Sequence, residues 1–231
     1  MGKRIIQQAR GKGSLSYRVR RAAYKYRIKY PIVQGEGEVL KIIHSTGHSA
    51  PLLKIKIGRE IFFNPAFKGA ISGQKINIGS EIKEGNVVPL KMIPSGTNIY
   101  NIEINPGDGG LMMRAAGLSA TLAKQMEHNK VSILMPSKKE IILSGDCRAT
   151  IGTIAGSGKT LKPFITAGRK FFKMKSRNKL WPRTSAIKMN AIDHPFGSGR
   201  GKRAKPKISK RNAPPGKRVG HVRPRRTGRI K

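Results

Sequence analysis

Leu52-Leu53-Lys54-Ile55-Lys56-Ile57 sets Leu53, Ile55 and Ile57 against Lys54 and Lys56. That alternation has a period of two, the pattern of a strand with one face on a core and the other toward water. Working outward, Val39-Leu40-Lys41-Ile42-Ile43-His44 precedes it, and Glu60-Ile61-Phe62-Phe63 and Lys75-Ile76-Asn77-Ile78 follow. All are short apolar runs with polar interruptions. Gly47, Pro51, Gly58, Pro65, Gly69, Gly73, Gly79 and Gly85 punctuate them. Many short strands joined by close turns predict a small barrel over residues 36–92.

Residues 93–160 read as a second β unit. Ile99, Ile102 and Ile104 are assigned to its first strand, and Pro106-Gly107-Asp108-Gly109-Gly110 to a tight loop. Leu118 to Glu127 is left open, because its Ala, Leu, Lys and Gln also suit a helix. His128-Asn129 and Pro136-Ser137-Lys138-Lys139 are turn-like and bracket Lys130-Val131-Ser132-Ile133-Leu134-Met135. Glu140-Ile141-Ile142-Leu143 comes next, so a meander is expected. The prediction is a mainly β chain with two small barrels in tandem.

The flanks differ in kind from this middle. The 231 residues carry 48 Lys and Arg against 11 Asp and Glu, a net charge of +37. Residues 1–35 hold ten Lys and Arg and no acid; residues 36–150 hold 14 against ten acids; residues 151–231 hold 24 against one, Asp193. With only 37% hydrophobic residues, part of the chain builds no core. The flanks repel themselves and need a polyanion to become compact. A membrane surface would call for a basic amphipathic helix. The tail from Gly197 carries Gly, Pro and scattered cations instead, so nucleic acid is favoured, through counterion release. The single Cys147 excludes an intramolecular disulfide and a Cys-rich zinc site. No run of about 18 apolar residues suggests a membrane span, and Met1 to Gln7 lacks a secretory apolar stretch. A reduced, cytoplasmic setting is expected.

Residues 1–35 read as a basic arm, flexible at Gly11-Lys12-Gly13-Ser14. Tyr17, Tyr24, Tyr26 and Tyr30 are interleaved with Arg18, Arg20, Arg21, Lys25, Arg27 and Lys29. The rings suit base stacking, or packing on the domain behind them; both readings stand. In residues 161–231, Pro163, Pro182, Pro195, Pro206, Pro214, Pro215 and Pro224 forbid long helices. An extended basic tail ordered by its partner is predicted, with one short helix near 167–175.

Gly156-Ser157-Gly158-Lys159-Thr160 invites comparison with a phosphate-binding loop. The first glycine of that motif falls on Thr153, and Pro163 stops the helix that should follow, so a turn is expected. His44, His48, His128, His194 and His221 show no metal-ligand spacing with Cys147 or with carboxylates. Asp193 and His194 stand together in Asn190-Ala191-Ile192-Asp193-His194-Pro195-Phe196-Gly197. Asp193 is expected to fix a turn, accept from a nearby donor or hold a magnesium ion. Neighbouring side chains of an extended chain diverge and no nucleophile accompanies the pair, which argues against general-base catalysis. Cys147 is read as a small buried hydrophobe and Arg148 as an RNA contact or barrel-edge cation.

The chain resembles the universal family of ribosomal protein two of the large subunit, in its archaeal and eukaryotic form. The resemblance runs nearly end to end, through Gly2-Lys3-Arg4-Ile5-Ile6-Gln7-Gln8, Ile93-Pro94-Ser95-Gly96-Thr97, Pro106-Gly107-Asp108-Gly109-Gly110 and Cys147-Arg148-Ala149-Thr150-Ile151-Gly152. Met189-Asn190-Ala191-Ile192-Asp193-His194-Pro195-Phe196-Gly197 and Ser209-Lys210-Arg211-Asn212-Ala213-Pro214-Pro215-Gly216 are its most specific stretches. It implies an oligonucleotide-binding-type barrel followed by a Src-homology-3-like barrel, with extended arms at both ends. It implies a structural, non-enzymatic constituent of the large subunit that binds its ribosomal RNA near the peptidyl transferase centre and supports assembly, subunit association and translation. The partners implied are large-subunit rRNA, neighbouring ribosomal proteins and the small subunit at a bridge, with no membrane and no homo-oligomer. No cofactor is expected beyond structural Mg2+ shared with the RNA.

The residues expected to contact RNA are Lys3, Arg4, Arg10, Arg18, Arg20, Arg21, Gly109, Gly110, Arg114, Arg148, Lys173, Lys175, Arg177, Asn190, Asp193, His194, Arg200, Arg211, Asn212, Arg225 and Arg226. Two departures from the family pattern stand out. Phe196 occupies the place of a second His in the bacterial form, and Ser198 interrupts a run of three glycines, where it is expected to restrict positive φ. The rival readings are an NTPase on residues 152–160 and a DNA-compacting protein; the large, nearly neutral folded middle argues against the second.

Overall fold

The computed structural model describes residues 2–159, 161–202, 212, 214 and 216–220. Two compact units are present: residues 20–167, and residues 1–19 together with 168–231.

The first unit is mainly β, as expected. Its ten strands are β1 (Gly35–Ile43), β2 (Leu52–Ile57), β3 (Glu60–Pro65), β4 (Lys75–Ile78), β5 (Val87–Pro89), β6 (Asn98–Tyr100), β7 (Ala120–Met126), β8 (Lys130–Leu134), β9 (Glu140–Ser144) and β10 (Arg148–Ile151). They form one sheet in the order β3-β2-β1-β4-β5-β10-β6-β7-β8-β9. The pairs are antiparallel except β4 with β5, which meet in parallel at Ile78 and Val87. β10 is last in the chain but central in the sheet, where it pairs with both β5 and β6.

Each half of the sheet carries its own core, as two small barrels in tandem require. Val39, Leu53, Ile55, Phe62, Ile76, Ile78 and Val87 fill the first. Val88, Ile93, Ile99, Leu122, Val131, Ile133 and Ala149 fill the second. Successive side chains on a strand point to opposite faces. Val87 and Tyr100 therefore enter the first core, while their neighbours Val88 and Ile99 enter the second. The alternation read from β2 holds: Leu53, Ile55 and Ile57 are buried and Lys56 is exposed.

Two expectations change. Leu118 to Glu127, left open between helix and strand, contains β7, whose register with β8 runs from Thr121 opposite Leu134 to Met126 opposite Lys130. Sheet context overrides a composition that also suits a helix. The first strand of the second half does not extend to Ile104. It ends at Tyr100 because Asn101 turns into the left-handed region, at φ 48°. Ile102 then makes only an isolated bridge to Met112.

The second unit has little regular structure: α1 (Ile6–Gly11), α2 (Ala167–Ser176), which begins at its edge, and short 3-10 turns at Leu15–Tyr17 and Ala186–Lys188. α2 occupies the place predicted for one short helix. It ends in a Schellman motif. Lys179 N–H donates to Met174 C=O at 2.9 Å, Asn178 N–H donates to Lys175 C=O at 3.0 Å, and Asn178 takes φ 50°.

Candidate nucleic-acid interface

Two groups of the predicted residues come together, one in each unit. In the β unit, Gly109, Gly110, Arg114 and Arg148 surround the loop from Glu103 to Arg114. Glu103 is fully buried. Its carboxylate accepts from Gly109 N–H at 3.0 Å, Gly107 N–H at 3.3 Å and Arg148 N–H at 2.8 Å. The Arg148 guanidinium adds Nη2 to Oε1 at 2.8 Å and Nε to both oxygens at 3.2 and 3.3 Å. Its Nη1 donates to the Pro31 carbonyl at 2.7 Å, and its Cζ lies 5.4 Å from the Tyr30 ring centroid. The loop is thus a backbone nest for an anion, and Glu103 is the anion inside it.

Inside the chain, the two glycines serve packing. At Gly109 (φ 88°) a Cβ would lie 2.3 Å from Lys29 Cγ. At Gly110 (φ 90°) it would lie 2.5 Å from Asn101 Oδ1. Asp108 braces the same loop, accepting from Ile104 N–H at 2.9 Å, Asn105 N–H at 3.0 Å and Gly110 N–H at 2.9 Å. Burial pushes its pKa upward, but these donors and the Arg148 charge outweigh it and hold the carboxyl below its usual range. Half-buried Arg114 donates to the carbonyls of Gly110 at 3.2 Å and Ile28 at 3.4 Å. Burial lowers its pKa; the nearby Tyr30 acts in the opposite sense.

Of the arm tyrosines, Tyr30 follows the packing reading and Tyr24 keeps partial exposure. Tyr30 is buried, its hydroxyl donating to Asn101 C=O at 2.7 Å and bonded to Thr150 Oγ1. Burial pushes that hydroxyl's pKa well up. Tyr24 is half exposed and meets His48 edge-on at 5.7 Å. Arg20 and Arg21 are exposed at the start of this unit.

In the second unit, Lys3, Asn190, Asp193 and His194 gather at a turn. Asp193 and His194 N–H donate to Asn190 C=O at 3.1 and 3.2 Å, Gly197 N–H to His194 C=O at 2.9 Å, and Ser198 N–H to Met189 C=O at 3.2 Å. The chain closes so tightly that a Cβ at Gly197 would sit 2.2 Å from Asn190 O. Lys3 N–H donates to Ile192 C=O at 2.7 Å, and Lys3 Nζ lies 3.7 Å from Asp193 Oδ1. The Asp193 backbone N–H thus takes part in the turn, while its carboxylate forms an exposed ion pair with Lys3. Phe196 N–H donates to His194 Nδ1 at 3.1 Å, which places the proton of the neutral ring on Nε2. In that form Nε2 is a donor. Ser198 takes φ 59°, against the expectation that a serine would restrict the positive-φ path; the hydrogen bond to Met189 holds it there.

The remaining predicted residues are dispersed. Arg4 and Arg200 are exposed, Arg10 stands in the last turn of α1, and Arg18 Nε donates to Gly13 C=O at 2.7 Å. Lys173, Lys175 and Arg177 lie on and just after α2, and Asn212 is exposed. Arg211, Arg225 and Arg226 lie outside the described residues. Sequence reasoning missed Glu103, which looked like one of ten acids in a balanced middle, and Gly197, whose duty is set by a contact seven residues away.

Ser157–Lys159 forms a 3-10 turn; Thr160 is outside the described residues. Among the described residues no group of three His, Cys, Asp or Glu could hold a metal ion, and no helix is long and apolar enough to cross a membrane. Cys147 is buried as predicted.

Residues 83–217, more than half of the chain, match the family described as Ribosomal Proteins L2, C-terminal domain. The chain is 44% identical over 238 residues to the large ribosomal subunit protein uL2 of Methanococcoides burtonii, covering 99% of this chain and 100% of that protein. It is 43% identical over 239 residues to that of Natronomonas pharaonis, covering 99% and 97%. With that of Archaeoglobus fulgidus it shares 43% over 236 residues, 99% of each. The cationic flanks, the double β core and the turn around His194 are therefore those of a structural, non-enzymatic constituent of the large ribosomal subunit, and the chain belongs to the uL2 family.

Proposed function

We propose that this protein binds large-subunit rRNA near the peptidyl transferase centre and there supports assembly and association with the small subunit, beside neighbouring ribosomal proteins. The observation that carries this is the segregation of charge between the two units. Residues 1–19 and 168–231 hold 27 Lys and Arg and one acid, whereas residues 20–167 hold 21 against ten. A body so charged and so poor in core is stabilised by a polyanion that offsets its self-repulsion. Its one acid is spent internally, on Lys3. Mg2+ at such an interface would take its ligands chiefly from RNA phosphates.

His194 acts here as a contact. A general base needs a free ring lone pair, and Nδ1 already accepts from Phe196 N–H. The Nε2 proton suits a phosphate or base acceptor. His194→Ala is expected to impair assembly or subunit joining, read as the share of protein sedimenting with complete ribosomes. Peptide-bond formation in ribosomes already assembled should be little changed. A selective loss of the chemical step with normal assembly would overturn this role.

A further inference from the structure

Tyr17, Phe171 and Trp181 line a cavity of about 210 Å³ in the second unit, with Arg10, Lys175 and Lys179 at its walls. We propose that it holds one unpaired, unstacked base of an RNA strand, with the strand's phosphates on the surrounding cations. This rests on the rRNA-binding reading above and adds a site to it.

Size comes first. Pockets for drug-sized ligands run to about 300–1,000 Å³; this one is smaller, suited to a single ring system. Its aromatic walls are partly open to solvent, with Phe171 39% exposed and Trp181 half-buried. Bases stack on such faces whatever their sequence. Cations already stand over two of the rings. Lys170 Nζ is 5.3 Å from the Trp181 centroid and Lys175 Nζ is 5.8 Å from that of Phe171. From Arg169 to Arg183 there are seven Lys and Arg and no acid, so the rim attracts a phosphate backbone.

The walls are also built before any ligand arrives. The Schellman turn ends α2 between Phe171 and Trp181. Asn178 Nδ2 donates to Arg18 C=O at 2.7 Å, tying the segment that carries Tyr17 to the end of that helix. Arg18 Nε in turn closes on Gly13 C=O. A preformed slot spares the ligand the ordering cost of its own site. An acidic peptide would satisfy the cations but leave the flat aromatic faces without a matching plane, which is why RNA is the occupant chosen.

The test is ultraviolet crosslinking of intact large subunits, with adducts mapped to both peptide and nucleotide. A one-nucleotide adduct on Tyr17, Phe171 or Trp181 is expected, at a position reactive to base-specific probes in RNA stripped of protein and protected in the subunit. Trp181→Ala should lose that protection and Trp181→Phe should retain it. Lys175→Ala, which leaves Tyr17 and Trp181 in place, should reduce the adduct. Adducts elsewhere in residues 1–19 and 168–202, with none on these three rings, would sink the pocket and leave rRNA binding intact. Adducts of the three rings to a neighbouring protein would do the same. Absence of RNA adducts from the whole unit would overturn the rRNA reading itself.

Discussion

Glu103 and Arg148 show how a charged pair inside a β domain is held. Glu103 is fully buried and the Arg148 side chain is 15% exposed, so each is the other's main compensation for lost water. Arg148→Ala is expected to destabilise the β unit by about 3–5 kcal/mol, because it strands a buried carboxylate. Chemical denaturation of the full chain measures this, and a loss below about 1 kcal/mol, the level of an exposed ion pair, would contradict the assignment. Cys147 gives a pH-dependent readout of the same region. Burial, then the nearby charges of Glu103 and Asp108, push its thiol up to about 11. A raised pKa keeps the neutral, unreactive form below that value. Alkylation at pH 8.5 is therefore expected to be slow in the folded chain, to accelerate toward pH 11, and to be fast at both values in denaturant. Cys147 was legible as a buried hydrophobe from its residue type. Glu103 was not, because the charge that compensates its burial comes from Arg148, 45 residues away.

Among the elements, strands were legible where the period of two was clean. β2 and β4 lie where their alternation placed them. β7 was not, since Ala, Leu, Lys and Gln favour a helix as much as a strand and only pairing with β8 decides it. The turn over residues 189–198 shows the same limit. Gly197 within it and Gly199 just after it look alike in sequence, yet a Cβ at Gly197 meets backbone while one at Gly199 meets nothing within 4 Å. Gly197→Ala is expected to open the turn and reduce incorporation into large subunits, and Gly199→Ala to do neither. Equal effects would show that close approach is not what the turn requires. Ser198→Gly should strengthen the turn. The left-handed region costs a non-glycine residue about 1–2 kcal/mol, so slower amide exchange over residues 194–198 is the expected signature.

For the whole molecule, the distribution of charge along the sequence alone separates a folded middle from cationic flanks. It carried no sign that residues 1–19 belong with residues 168–231, because contact between chain ends leaves no local pattern. Lys3 against Asp193 and Asn178 against Arg18 are the ties that join them. Deleting residues 197–231 is expected to leave the thermal transition of the β unit in place while abolishing stable incorporation into large subunits. Loss of that transition would show that the β unit depends on the tail.

That the turn around His194 lies at the RNA of the peptidyl transferase centre is the most direct consequence of the proposed function. It can be tested by directed hydroxyl-radical cleavage from iron tethered at Gly199→Cys, an exposed site where a Cβ meets nothing within 4 Å, in reconstituted large subunits. The native Cys147 is buried and does not compete for the tether. Cleavage concentrated in the rRNA of that centre is the predicted result. Cleavage confined to remote rRNA, with the variant fully incorporated, would contradict the account.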